Sequence, residues 1–379
     1  MKKQIDTIII GAGASGLFLG ALLQDRDFLI LEHNAQVGAK MLISGGGRCN
    51  ITNRYVKAQN YLGNQRFIWN VIKRFDQHKL LRWLGERGLK LEVRKNNQYF
   101  CQNSAKEIVD LLRCEIDTKK IALQTSVQSV KKKGEVFEIS TSKGKFLANN
   151  VVIASGGLSY QKIGASSIGY DIATSFGHTV TKLNPALVGF TVQKEQFFFK
   201  ELSGIATDVT ITVGEKEING SLLFAHKGIS GPAVLDASLY WEKGKVTIDF
   251  LPTVNFDRIK NSKKNISNLL GMPSRVAKAF LYQLSIEDRK ATLLTKKEWQ
   301  KLATLKAYSF APAGTFGYTK AEVTKGGVVT DEVDAGSMMS RKVDNLYFIG
   351  EVLDVTGELG GYNLQWAFST AFVASQALA

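Results

Sequence analysis

Apolar residues follow three rhythms along this chain. Over 7–34, TIIIGAGASGLFLGALLQDRDFLILEHN holds a continuous apolar run at Ile8–Ile10, a glycine turn, helical spacing over 14–24, and a second run, DFLILE, ending on an acid. Continuous runs of this length suit parallel strands covered on both faces, so the segment predicts a β-α-β unit. Over 65–93, Phe67, Ile68, Val71, Ile72, Phe75, Leu80, Leu81 and Leu84 recur at helical spacing and predict two amphipathic helices with basic outer faces. Residues 121–152 alternate, which predicts hairpin strands with a turn at Lys143–Gly144, followed by a buried strand, NVVIASGG.

Further on, VGFTV, TDVTITVG and GKVTIDFLP make 187–252 strand-rich, 255–306 returns to helical spacing, and strands resume over 307–335. NLYFIGEVLDVTGELGGYNLQWAFSTAFVASQALA then predicts a strand, a loop and a helix from about 363. This pattern predicts an α/β body interrupted by an insertion. The first domain is 1–185 plus 336–379, the inserted β domain is 186–254 plus 307–335, and 255–306 is a small helical insert.

Composition narrows the class. The 379 residues are 44% apolar and 22% charged, with five prolines, as in a folded globular protein. No apolar run is long enough for a transmembrane helix. The N-terminal run leads into glycines and lacks a signal peptide's core and cleavage site, so the expectation is a cytoplasmic protein without membrane contact. Cys49, Cys101 and Cys114 show no CxxC spacing. They suit neither a disulfide framework, nor a zinc site, nor a dithiol reductase. Net charge is +15 and concentrated: residues 57–95 carry ten Lys or Arg against three acids, and 258–306 carry twelve against three. Such segments favour a polyanion, chiefly nucleic acid, although a solvated basic surface is the plain alternative.

GAGASG (11–16) fits G-x-G-x-x-G between a strand and a helix. Gly11 allows the tight turn, Gly13 lets backbone approach a pyrophosphate, and Gly16 lets helix and strand pack closely, with the helix N-terminus holding the phosphates. Glu32 ends the next strand where a ribose is gripped, which favours an unphosphorylated adenosine ribose. SGGGRCN (44–50) sets exposed backbone beside the cation Arg48, suited to something flat and anionic. At the other end, LYFIGE closes a strand on Gly350–Glu351, and GGYNLQ (360–365) opens a helix whose N-terminus would favour an anionic reduced flavin. A grip at both ends of the chain suits FAD rather than NAD.

These motifs resemble the YhiN/BaiN-like flavoproteins of the glutathione-reductase-like class. The resemblance runs through GAGASG, GAKMLISGGGRCNITN (38–53), VVIASGG (151–157), FAHKGISGP (224–232), VTKGGV (323–328) and LYFIGEVLDVTGELGGYNLQWA (346–367), in order and from end to end. It implies a Rossmann-like FAD-binding domain with an inserted β-barrel and a small helical insert. It further implies FAD contacts at Gly11, Gly13, Ser15, Gly16, Glu32, Lys40, Ser44, Gly46, Arg48, Cys49, Ala154, Gly156, Gly350, Glu351 and Asn363, with the Val127 backbone meeting adenine. Their motif neighbours Ala14, His33, Gly45, Gly47, Asn50, Ser155, Gly157, Gly361 and Leu364 complete the candidate set. One segment departs from the family: GASSIGYDIA (164–173) lacks an Asp and a Gly of the usual run.

For catalysis the candidates are His226, which titrates near neutrality, Arg48, Cys49 and Asn53. His226 and Cys49 have plainer alternatives, a loop histidine satisfying backbone and a cysteine that merely packs, whereas Arg48 and Asn53 suit polar contacts at the site mouth. The resemblance implies reduction of a conjugated C=C bond by hydride from flavin N5. One branch makes dihydrouridine in ribosomal RNA, another acts on bile-acid-like enones, and some relatives bear an amine-oxidase label. The two basic segments favour ribosomal RNA, with Trp69, Trp83 and Trp299 as stacking candidates or core residues. A small-molecule oxidoreductase is the second reading, and a non-catalytic flavin- and RNA-binding factor the third. No second dinucleotide fingerprint is present, and two electron donors stay open: NAD(P)H bound transiently in the substrate cleft, or another reduced protein.

Overall fold

A computed structural model describes residues 4–378. The chain divides into two units: one runs to Pro185 and resumes at Glu322, and the other is Ala186–Ala321.

The first unit opens with β1 (Gln4–Ile10), α1 (Ala14–Leu22) and β2 (Phe28–Leu31). It continues through β3 (Asn50–Asn53), the helices α2 (Gln65–Ile72) and α3 (Gln77–Glu86), β4 (Leu91–Arg94), β5 (Gln98–Cys101) and α4 (Lys106–Cys114). Next come β6 (Val127–Lys133), β7 (Val136–Thr141), β8 (Gly144–Ile153) and α5 (Ile168–Ser175). After the second unit it closes with β9 (Val323–Lys325), β10 (Leu346–Phe348) and α6 (Tyr362–Ala377).

β1 lies between β2 and β8, parallel to both. Its Ile8 and Ile9 are fully buried, as a two-sided strand requires. β8 is one ten-residue strand where the sequence predicted a hairpin arm and then a separate strand. Its first half pairs antiparallel with β7, and Val151–Ile153 pairs parallel with β10. The hairpin therefore feeds without a break into the central sheet. The preceding turn is Ser142–Lys143, since Gly144 already pairs with Thr141.

The second unit carries a seven-stranded antiparallel sheet. Its strands pair in the order 308–310, 246–249, 206–213, 216–225, 228–230, 190–191, 314–315. This is an open path where a barrel was expected. Its core is filled by helices. Val234 comes from Pro232–Tyr240, and Val276, Phe280 and Leu302 come from the expected helical insert, all packing with Ile211, Phe224 and Ile248. Residues 255–306 therefore share one core with the strands and do not form a separate unit. Residues 322–335 belong with the first unit: Val328 N–H donates to Val352 O at 2.9 Å, and Thr181 N–H to Gly327 O at 2.9 Å.

Candidate functional site

The first glycine turn is fixed by backbone crowding. Gly11 has φ +107°, and a Cβ there would stand 2.6 Å from Ala154 O, where β8 ends beside β1. A Cβ on Gly16 would stand 2.0 Å from Gly11 O, so α1 can follow β1 this tightly only with glycine. Gly13 differs: nothing lies within 4 Å of its would-be Cβ, which leaves room for a ligand against the backbone. Gly13 caps α1 with no side-chain bond, so the amides of Ala14, Ser15 and Gly16 face outward without helical partners.

Glu32, buried at the end of β2, braces this turn. Its Oε2 accepts from Ala12 N–H at 2.8 Å and its Oε1 from Asn34 N–H at 2.9 Å. A carboxylate has further lone pairs, so a ribose hydroxyl can still donate to it. His33 Nδ1 lies 3.2 Å from Glu32 Oε1. Thr125 N–H donates to Glu32 O at 2.8 Å, which brings the start of β6 and Val127 alongside.

SGGGRCN forms a tight turn in which Gly45, Gly46 and Gly47 have φ of +56°, +66° and +83°. Gly45 is closely walled: its Cβ would stand 2.9 Å from Phe100. Gly46 and Gly47 have nothing within 4 Å and present bare backbone. The turn is held by Ser44 Oγ donating to Met41 O at 2.8 Å, Cys101 N–H to Arg48 O at 3.0 Å and Ala105 N–H to Gly47 O at 2.8 Å. Arg48 stays half-exposed, 3.6 Å from Glu92, a surface pair of little strength that a nearby anion can replace. Cys49 is fully buried at φ +51°. Burial pushes its thiol up to about 12, against a hydrogen bond from Ser44. It stays a thiol and packs. Asn53 Nδ2 donates to Asn96 O and Gly360 O, at 3.1 and 3.2 Å, and Oδ1 accepts from Tyr55 N–H. Its amide thus ties β3 to the loop before α6.

The C-terminal motif closes the same site. Gly350 has φ +76°, and a Cβ there would meet Ser15 Oγ at 2.7 Å, so the Gly350–Glu351 turn lies on the start of α1. Gly350 N–H donates to Thr370 Oγ1 at 2.9 Å, and Trp366 Nε1 to Gly350 O at 3.2 Å. Glu351 joins the two ends of the chain. Its Oε2 accepts from Lys40 Nζ at 2.7 Å and its Oε1 from Thr324 N–H at 2.9 Å. Gly157 makes room for this pair, since its Cβ would stand 2.8 Å from Glu351 Oε1; Gly156 before it has φ +71°. Gly361, at φ +91°, abuts Thr52 and caps α6. Asn363 holds the loop by accepting from Gly357 N–H at 2.8 Å and donating to Gly357 O at 2.9 Å. Leu364 packs partly buried against the core.

Asn50 Oδ1 and Ser155 Oγ are buried without a hydrogen-bond partner, both in segments expected to meet cofactor. Together with the open faces of Gly13, Gly46 and Gly47, they fit a long nucleotide lying along these turns. In the departing segment, Gly169 allows α5 to approach Ser155, whose Oγ would lie 2.0 Å from a Cβ. His226 lies in the second unit, exposed in the His226–Lys227 turn of a hairpin.

Three groups escaped the sequence reading. Thr324 Oγ1 accepts from Leu158 N–H at 2.8 Å while its N–H holds Glu351. Two residues earlier, in the bend that leads into β9, Glu322 is exposed by area yet desolvated by the protein around it. Burial raises its carboxyl above the usual range, opposed by Lys40. Tyr160, with φ +66°, is raised by burial and by Glu322. The only signal was position: Thr324 lies within VTKGGV, Glu322 just before it, and Tyr160 shortly after VVIASGG.

A Rossmann sheet with a bare glycine turn, a buried acid after β2 and a C-terminal helix that opens beside the start of α1 fits a FAD-dependent oxidoreductase. The chain belongs to the family described as HI0933-like protein Rossmann domain, whose pattern matches residues 5–377. It is 38% identical to a ribosomal RNA dihydrouridine synthase of Escherichia coli, covering 99% of this chain and 98% of the relative. It is 32% identical to a 3-dehydro-bile acid delta(4,6)-reductase of Clostridium scindens, covering 98% of each. Among solved structures, a 3-ketosteroid delta1-dehydrogenase from Sterolibacterium denitrificans is similar with a TM-score of 0.52 over 99% of both chains. At 11% identity that likeness concerns the fold alone.

Proposed function

We propose that the protein reduces uridine to dihydrouridine within ribosomal RNA. The observation that carries this reading is the end-to-end similarity to the Escherichia coli ribosomal RNA dihydrouridine synthase. The exposed cations of α2 and α3 agree with it. When bound, reduced FAD would supply the hydride, for which C6 of the uracil C5=C6 bond, conjugated to a carbonyl, is the electrophilic position.

The chain's own groups do the rest. The open turn at Gly13 and the α1 amides bind the pyrophosphate, and Glu32 holds the ribose. Lys40 and the α6 N-terminus favour negative charge at the other end of the cofactor. C5 of the reduced base needs a proton. Cys49, with its pKa near 12, is a poor source, and His226 is an exposed turn residue. Glu322 is assigned as the acid: its raised pKa keeps it protonated at higher pH than an ordinary carboxyl, beside Lys40 and Tyr160. The target base must leave its stack to reach these groups.

A second reading, reduction of a small conjugated ketone, is favoured by the Clostridium scindens relative. The two separate in an anaerobic stopped-flow experiment with the pre-reduced protein. Flavin reoxidation on adding unmodified ribosomal RNA, with dihydrouridine recovered from the RNA, is expected. Reoxidation by a steroid enone but not by RNA would replace the RNA reading.

A further inference from the structure

We propose that the exposed face of α2 and α3, with the depression between α3 and the C-terminal part of α6, is the docking site for the phosphodiester backbone of single-stranded RNA; this rests on the RNA reading above. The depression has a volume of about 560 Å³ and is lined by Lys73, Arg74, Lys79, Phe372, Val373 and Gln376. Three cations and no acid line it. Asp76 nearby accepts from Lys79 N–H at 2.9 Å as the cap of α3. Asp334, towards Arg74, is bridged by Arg341 at 3.3 Å.

Arg66, Trp69 and Lys73 stand at helical spacing on one exposed stripe leading to the depression. Trp69 is 55% exposed, and Lys73 Nζ sits 3.8 Å over its ring. An indole that stays half-exposed with a cation over its ring offers a single strand both a surface for a base and a partner for a phosphate. The other two tryptophans considered are occupied. Trp83 packs edge-on against Phe18 and under Arg87, and Trp299 packs against Phe256. Within 258–306 many cations are also occupied: Arg289 bridges Glu298 at 2.8 Å, and Lys301 and Lys306 donate to Leu284 O and Leu251 O. In the depression itself Lys79 Nζ donates to Arg74 O at 2.8 Å, and in the same basic segment Arg87 bridges Glu115 at 3.0 Å, so each segment holds both engaged and open cations. α6 joins docking site to cofactor site. Phe372 lies about 15 Å along the helix from Tyr362 at its start, at about 1.5 Å per residue, so a strand held at one end can deliver a base to the other.

The test is fluorescence anisotropy of FAD-loaded protein with a labelled single-stranded ribosomal RNA fragment, across a salt series. Lys73→Ala/Lys79→Ala is compared with Lys263→Ala/Lys264→Ala, which removes equal charge from the second unit. The first pair is expected to weaken binding about tenfold or more and to lower the salt slope by about 1.4. Trp69→Ala is expected to weaken it about fivefold or more. The second pair is expected to change affinity less than about twofold. Flavin content and melting temperature confirm that each variant is folded. Equal losses in both pairs, or no loss in the first, would overturn the docking site while leaving the RNA reading intact. Failure of the unmodified protein to bind RNA would remove both.

Discussion

Gly13 and Gly16 sit three residues apart in one motif and have opposite reasons for being glycine. A methyl on Gly16 collides with Gly11 O inside the fold, so Gly16→Ala is expected to destabilise the protein itself by about 1–3 kcal/mol or more. A methyl on Gly13 meets only open space. Gly13→Ala should leave the flavin-free protein within about 0.5 kcal/mol of the parent in denaturant unfolding, yet bind FAD more weakly. If both variants lose stability equally, the open face of Gly13 is not a ligand surface. At Glu322, Glu322→Gln keeps size and hydrogen-bonding capacity but removes the acid. FAD content should hold, while turnover drops by about a hundredfold or more. Because the acid must be protonated to act, parental turnover should fall as pH rises through the Glu322 pKa, and that limb should vanish in the variant. A variant with the parental profile would rule Glu322 out. The glycines were legible because a turn's needs are written in adjacent residues. Glu322 was not, because its surroundings arise only when the chain returns after more than a hundred residues to meet Lys40 and Tyr160.

Two elements carry the site and differ in how readable they were. The first β-α-β unit announces itself through local pattern, and α1 begins where the glycines end. β8 was misread as two pieces, because its change of partner from β7 to β10 depends on which strand arrives beside it. In the second unit alternation marked the strands, while the barrel was implied by the resemblance; the strands pair along an open path. α6 owes its position to side-chain hydrogen bonds with groups far away in sequence. Thr52 Oγ1 donates to Gln365 Oε1 at 2.6 Å, and Gln365 Nε2 donates to Phe75 O at 3.1 Å. Asn363 and Asn53 fix the loop before the helix. Asn363→Ala removes two bonds to Gly357 and is expected to cost about 1–2 kcal/mol in unfolding, with a matching loss of FAD affinity measured by titration. Unchanged FAD affinity despite lost stability would separate this loop from the cofactor site.

For the molecule as a whole, acid sensitivity follows from one cluster. His178 is wholly buried, Nδ1 3.0 Å from Glu332 and Nε2 2.8 Å from Ser340 Oγ. Burial holds the imidazole below its usual value despite Glu332. Glu332, raised by burial but more strongly lowered by Lys342 at 2.7 Å and by Thr179, titrates near 2. Both folded values lie below the unfolded ones of about 6.5 and about 4.3. Each group therefore contributes stability above its unfolded value and loses it as pH falls towards its folded value. The melting temperature should fall on acidification below about 6.5, and Glu332→Gln should flatten the lowest part of that decline. A variant curve parallel to the parent's would contradict this assignment.

The central claim concerns the substrate, and nucleoside mass spectrometry of ribosomal RNA from cells with and without the gene tests it most directly. Dihydrouridine should disappear in the deletion and return with the intact gene, but not with Glu322→Gln. Ribosomal RNA with the same dihydrouridine content in the deletion would contradict it.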